Sequence, residues 1–302
     1  MQKHMNEGAE MIKPKALMMG VISIQLIHEK TTPYMNPLKF FPTLGKEVLE
    51  ENRLWLAPNS LDQVTGRIIL SFHSYLVRTR HHNVLIDTCI GNHKERPMPQ
   101  DHMQASEAYM RNLALAGLTV EDIDFVLCSH LHYDHVGWNT RLENGRWVPT
   151  FPKARYVFSK AEYEYWVGNH NTKPIPTMTD SVLPVVEAGR ADLVTNDHVV
   201  CEHVELFPTP GHTIDHCGVR VANTAGVALF TGDVTHSPLQ MRYPDIGIIG
   251  DYDRVQASNT RRHLFEQGLD CNAIICTMHH PAPPLGHLER WGTDGYRFKE
   301  ST

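Results

Sequence analysis

Residues Ser129-His130-Leu131-His132-Tyr133-Asp134-His135-Val136-Gly137 put three imidazoles and one carboxylate into six consecutive positions. They follow Asp124-Phe125-Val126-Leu127-Cys128, a short apolar run that reads as a buried strand. The cluster is therefore expected where a strand gives way to a loop. His130 and His132 are two apart and share a face at a strand end, which suits two ligands of one ion. Asp134 and His135 lie just beyond, where the turning chain reaches a second ion. Neutral imidazole and carboxylate are ligands for Zn²⁺, and they also suit Fe, Mn or Co. A His-rich polar loop is the plainer reading of any single one of these residues. It does not account for four donors gathered behind one apolar strand.

Four donors cannot complete two metal sites, so further ligands are required downstream. Pro210-Gly211-His212-Thr213 holds one imidazole in a turn. Phe230-Thr231-Gly232-Asp233 ends a strand in Gly and a carboxylate. Ile274-Ile275-Cys276-Thr277-Met278-His279-His280-Pro281 ends another in two adjacent imidazoles, either of which can be the ligand. Each candidate follows a strand, and strand ends are where α/β folds collect their sites.

This combination resembles the metallo-β-lactamase superfamily of metallohydrolases: His130, His132, Asp134 and His135 as HxHxDH, then His212, Asp233 and His279. The resemblance runs from about Val21 to Gly286. It implies an α/β fold of the four-layer αββα sandwich type with two divalent ions, Zn first and Fe, Mn or Co as alternatives. It implies that His130, His132 and His212 hold one ion, that Asp134, His135 and His279 hold the other, and that Asp233 bridges them. His279-His280-Pro281-Ala282-Pro283-Pro284-Leu285-Gly286 resembles the H-x-P-x-P-x-x-G ending of lactonase-like and organophosphate-hydrolase-like members, which favours His279 over His280. In such relatives a Tyr stands three residues past the bridging Asp and acts on the substrate. Here that position is His236, which can take over the role as a hydrogen-bond donor. Asp87 is expected to orient the site loops, and His216 to sit behind His212. His287 is a candidate for the pocket border.

The surrounding elements must carry these residues. Residues 1–15 are expected to be flexible, and 16–302 to form one domain. Val21–His28, Ile68–Arg80 and Val84–Asp87 read as strands, the last two as a hairpin. Ala105–Ala116 reads as a helix closed by Gly117, and Lys160–Val167 as another, with 168–178 an exposed loop. Asp251–Gln267 reads as a long helix ended by Gly268. The segment at about 31–60 carries several Pro and aromatic residues. It reads equally as an arm lining a substrate pocket or packing on a second subunit, and as a plain cover for the sheet. Phe40, Phe41 and Trp55 from this arm, with Trp138 just after the motif, are the candidate pocket residues.

The composition narrows the function. With 28 Lys+Arg against 34 Asp+Glu in 302 residues, the net charge is −6 and no basic run marks a nucleic-acid surface. No stretch approaches a membrane span, and Met18–Ile27 lacks a cleavage signal, so a cytoplasmic protein is expected. The six Cys form no CxxC pair and read as buried apolar residues. Gly-x-Ser-x-Gly is absent. The expected function is a dinuclear-metal hydrolase that opens lactones or cleaves activated esters with a metal-bridging hydroxide. Asp134, Asp233 and His236 are its catalytic candidates, with Asp134 read as a ligand or a base. Phosphotriester or β-lactam hydrolysis on the same fold is the nearest alternative. A non-catalytic metal- or ligand-sensing module is the alternative of another class. A small molecule is the expected partner, and a homodimer through the arm is the only assembly suggested.

Overall fold

The computed structural model describes residues 16–299; the flexible segment expected at 1–15 lies outside them. In chain order the strands are β1 (Leu17–Met19), β2 (Ile22–Pro33), β3 (Ile69–Arg78), β4 (Asn83–Ile86), β5 (Phe125–Leu127), β6 (Thr140–Glu143), β7 (Arg146–Pro149), β8 (Arg155–Ser159) and β9 (Ala191–Val194). They continue with β10 (Val199–Cys201), β11 (Val204–Pro208), β12 (Cys217–Asn223), β13 (Gly226–Phe230), β14 (Ile274–Cys276), β15 (Leu285–Trp291) and β16 (Gly295–Phe298). The α-helices are α1 (Pro37–Phe40), α2 (Lys46–Leu56), α3 (Ala108–Leu115), α4 (Lys160–Thr172), α5 (Leu183–Glu187), α6 (Pro238–Arg242) and α7 (Arg254–Asp270).

Two seven-stranded sheets result, in the orders β1-β2-β3-β4-β5-β8-β9 and β10 through β16, with β6–β7 a separate hairpin. The first sheet is antiparallel to β4 and parallel from there to β9. The second is antiparallel except for the β13–β14 pair.

Alternation of side chains explains the layering. Tyr75, Val77, Val84 and Ile86 point inward and meet Val219, Val221, Ala228 and Phe230 of the other sheet. Their neighbours Leu76 and Leu85 point outward and are covered by Tyr109 and Leu113 of α3. On the far side Leu229 and Ile275 are covered by Leu264 and Phe265 of α7. Both sheets are thus buried on two faces, which gives the helix–sheet–sheet–helix order. Strands β5, β13 and β14 are short and apolar, and the loops leaving them and β11 carry the candidate donors.

Several elements differ from their sequence readings. Strand β2 runs on to Pro33. Helix α4 continues to Thr172, and residues 178–182 form a π-turn leading into α5. Residues 168–178 are therefore not simply an exposed loop, because Ile175 and Met178 dock with Val182 and Val185 on the outer face of the first sheet. Gly268 lies inside α7, against Ile275, and the helix ends at Asp270. The β15–β16 hairpin has no forecast counterpart. The arm forms α1 and α2, and its Phe40, Phe41, Leu44 and Leu49 pack with Phe72 of the first sheet and with Leu239, Ile246 and Ile248 of the second half.

Candidate metal centre

The loops after β5, β11, β13 and β14 bring their donors to one place. His130, His132, His212 and Asp233 form one set of mutually close donor atoms, and Asp134, His135 and His279 another. Asp233 stands between them. Its Oδ2 lies 3.1 Å from His212 Nε2 and 3.6 Å from His130 Nε2, while its Oδ1 lies 3.0 Å from His279 Nε2 and 3.1 Å from His135 Nε2. One carboxylate thus offers one oxygen to each set.

The outer nitrogens of these imidazoles are held by acceptors, which fixes the tautomers. His135 Nδ1 donates to Asp87 at 2.8 Å, and His212 Nδ1 donates to Asp251 at 3.0 Å. His279 Nδ1 donates to the carbonyl of Ser71 at 3.1 Å. Ser129 Oγ donates to Asp87 and therefore accepts from His130 Nδ1 at 3.0 Å. In each case the other nitrogen turns a lone pair towards the cluster. The inward nitrogens crowd together: His212 Nε2 is 3.0 Å from His132 Nδ1, and His279 Nε2 is 3.3 Å from His135 Nε2. His130 Nε2 and Asp233 Oδ1 are buried without a hydrogen-bond partner. Converging lone pairs and orphaned buried acceptors are what a cation satisfies, so the residues present fit divalent metal ions.

The electrostatics agree. Burial alone would raise Asp233, but His135, His279, His236 and His212 outweigh it and hold the carboxyl well below its usual range. Burial lowers His130 and His132, with the neighbouring imidazoles adding to the effect. For His212 burial opposes protonation, but Asp233 and Asp251 prevail and push it up to about 9, so a metal ion at Nε2 would compete with a proton drawn by the same acidic field.

A family profile of the metallo-beta-lactamase superfamily matches residues 72–279, a stretch holding every one of these donors. The chain belongs to the metallo-beta-lactamase superfamily. Among its superfamily relatives, an N-acyl homoserine lactonase of Bacillus sp is 25% identical over 177 residues, 54% of this chain and 63% of that protein. One from Bacillus cereus is 24% identical over the same shares. The chain therefore spans less than two thirds of the length of these relatives. Among solved structures, AidC, a dizinc quorum-quenching lactonase in complex with a product, superposes with a TM-score of 0.77 at 21% identity over 96% of this chain and 97% of that one. The hydrolase AbOPH gives 0.78 at 22% identity over 95% and 99%. At these identities the likeness establishes the shared fold.

Within this superfamily site the remaining predicted residues fall as follows. His280 is buried beside Thr235 Oγ1 at 3.2 Å and belongs to neither donor set, which leaves His279 as the candidate. His216 sits behind Asp233 rather than His212: its Nε2 accepts the Asp233 backbone N–H at 3.0 Å. Gly232, at φ +50°, makes room for that contact, since a Cβ there would lie 2.5 Å from His216 Nε2. His236 joins Asp233 and His279 in a third group of close donor atoms: its Nε2 donates to Asp233 Oδ2 at 3.1 Å and its ring stacks on His279. Phe40 meets the edge of His236 at 5.6 Å, so it borders the site.

Three aromatic assignments need correction. Trp138 is not at a pocket mouth: it is buried, stacks on Tyr109 and donates to Glu29 at 2.6 Å, because that carboxylate is sealed in the core and needs donors. Phe41 is wholly buried where the arm packs on Phe72 and on Leu239, Ile246 and Ile248. Trp55 packs on Trp291 in a groove lined by Pro238, Pro283 and Phe298, which contains none of the donors. His287 lies on β15, paired with Ile274, outside both donor sets. Sequence reading missed Asp251, which follows Gly250 and carries no motif of its own. Of the site, His132, Tyr133 and Asp134 retain solvent exposure, which marks the open side. Among the described residues no helix is long and apolar enough to cross a membrane.

Proposed function

We propose that this chain is a metal-dependent hydrolase that opens lactones and cleaves activated esters, with His130, His132 and His212 holding one divalent ion, Asp134, His135 and His279 the other, and Asp233 shared. The observation that carries this reading is the divided Asp233 carboxylate, one oxygen facing each set of inward lone pairs. Bound there, two divalent ions, Zn first, acidify a water molecule at neutral pH and polarise a carbonyl oxygen.

The chain's own residues do the rest. Asp87, Asp251 and Ser129 keep the imidazole protons on the outside, so that the inner nitrogens stay available. His236 and His216 hold the Asp233 side chain and backbone, fixing the carboxylate across the two sets. Asp134, at the solvent-facing edge, joins His135 and His279 as a donor; its place in that set favours the ligand role over the base. Beside His132 a cavity of about 430 Å³, lined by Leu131, Tyr133, Trp166, Ile175 and Met178, receives an apolar acyl or aryl group. Attack of water on the lactone carbonyl then breaks the acyl C–O bond and leaves a hydroxy acid. The printed activities of the Bacillus relatives support N-acyl homoserine lactones as the first substrates to try.

The test is elemental analysis of the purified protein with a hydrolysis panel: an N-acyl homoserine lactone, an aryl lactone, an aryl ester, a phosphotriester and a cephalosporin. Two metals per chain and lactone or ester turnover abolished by His132→Ala are expected. No turnover of any of these after reconstitution with Zn or Mn refutes the proposal and favours a sensing module.

A further inference from the structure

Behind the apolar cavity beside His132 lies a second one, also of about 430 Å³, whose walls include Met103 and Trp147. Glu95 and Pro176 line both cavities. The partition between them is therefore built from two stretches of chain. From residues 93–97, Pro97 lines the first cavity and His93 the second. From residues 174–180, Ile175 and Met178 line the first, and Pro174 and Thr179 the second.

Buried charges join the two stretches. Arg96 Nη1 and Nη2 donate to the two oxygens of Asp180 at 2.9 and 3.0 Å, across 84 positions of sequence. Lys94 Nζ lies 3.5 Å from the same carboxylate. It donates to the Asp180 carbonyl at 2.9 Å, to Ser181 Oγ at 3.0 Å and to Thr140 Oγ1 at 2.6 Å. In its charged form Lys94 thus has three protons for three acceptors. Lys94, Arg96 and Asp180 are all buried. A forked guanidinium–carboxylate pair fixes orientation as well as distance. Buried ion pairs add little net stability over apolar residues of the same volume, so their use here points to the holding of one geometry. What they hold is the π-turn at 178–182, and single π-turns are rare and gather at functional sites.

Building on the hydrolase reading, we infer that the Arg96–Asp180 pair, braced by Lys94, is the specificity element of the site: it bolts the partition that ends the first cavity, and so limits the length of the apolar chain a substrate can carry. Asp180 is a positioning residue that acts through the wall without touching substrate. Pro176, shared by both cavities, is where the end of a long chain meets the wall. Opening the partition joins the two cavities and lets the chain run on towards Trp147 and Met103.

The experiment measures kcat/KM along an acyl series of one aryl ester, from butanoyl to tetradecanoyl, with the metal-loaded full chain. In the wild type the value rises while the chain fills the first cavity and then falls by about 10-fold or more once it meets the partition, the scale of one misfitted methylene. Arg96→Met unbolts the wall, and Pro176→Gly thins it without touching the ion pairs. Both move the maximum to longer chains and raise the long-to-short ratio by a similar factor, chiefly through KM. A merely structural role would lower every chain length together and leave the maximum in place. If Arg96→Met does not fold, Pro176→Gly decides alone. A maximum that stays in place in the folded variants, or a wild-type profile still rising at the longest chain, overturns this inference and leaves the hydrolase reading standing. Absence of turnover for every ester and lactone refutes the hydrolase reading instead. The partition is then read from calorimetric binding of n-alkanols, whose affinity stops rising at one length in the wild type and goes on rising in Pro176→Gly; parallel affinities in the two proteins overturn the inference.

Discussion

Asp251→Asn isolates one half of the centre. The Asp251 side chain is buried and uses both oxygens: Oδ1 accepts from His212 Nδ1 at 3.0 Å and Oδ2 accepts from the Ile248 backbone N–H at 2.8 Å. An Asn of the same shape has one acceptor for two donors. The backbone N–H cannot move, so the carbonyl stays on Ile248 and the NH₂ turns to His212. His212 Nδ1 must then accept, which puts the ring proton on Nε2, the atom 3.1 Å from Asp233 and directed at the cluster. The set formed with His130 and His132 loses a donor, while Asp134, His135 and His279 keep theirs. Loss of such an orienting partner weakens a metal by about 10- to 100-fold, or about 1.4–2.8 kcal/mol. Competition against a chromophoric chelator resolves the two ions as separate steps. One step shifts by that factor and the other stays put. Equal weakening of both steps, or none, refutes the assignment of Asp251 to one ion.

Removing the ions with a chelator lowers the melting midpoint, since ions at a hundred times their Kd add about 2.7 kcal/mol to the folded state; an unchanged midpoint in differential scanning calorimetry counts against ions at this seam. Trp138→Phe takes a donor from the buried Glu29 and costs about 1–3 kcal/mol, read by urea unfolding. Gly137→Ala costs at least as much, because its Cβ would lie 2.0 Å from the backbone carbonyl of Ile90, and the loop it displaces carries Asp87, so metal affinity falls with stability. Burial lowers Lys94 to about 7 against the pull of Asp180, so between pH 7 and its ordinary value near 10.5 the unfolded chain binds the extra proton. Stability therefore rises with pH through that window, by up to about 1.4 kcal/mol per unit, and Lys94→Met flattens the rise.

The donors were legible because their chemistry is local: each stands within a few residues of a short apolar strand, and the strand announces the loop. The same holds for Asp87, which directly follows β4. What acts at a distance was not legible. Asp251 braces an imidazole 39 positions away in the chain, with no pattern linking the two. Trp138 could have faced solvent or core, and its direction was decided by Glu29, a buried carboxylate 109 positions upstream. Gly268 looked like a helix end and proved to be a site of close packing on Ile275, because a glycine's local meaning depends on what lies opposite. The sandwich came through the family resemblance rather than through strand pairing, and the β15–β16 hairpin escaped both.

The division of the donors between two sheets sets an order of events during synthesis. His130 through His135 belong to the first sheet and leave the ribosome well before Asp233 and His279, which follow strands of the second. At about 5–20 residues per second, the roughly 144 residues between His135 and His279 take on the order of 7 to 30 s. For that interval the nascent chain presents a half-built set of ligands and an uncovered apolar face, the one that later meets Val219 and Phe230. Any ion captured then is held by an incomplete shell and must be exchanged or completed when the second sheet docks. The yield of active protein is thus expected to depend on how much free metal is present while the chain is being made, and not only on how much is supplied afterwards.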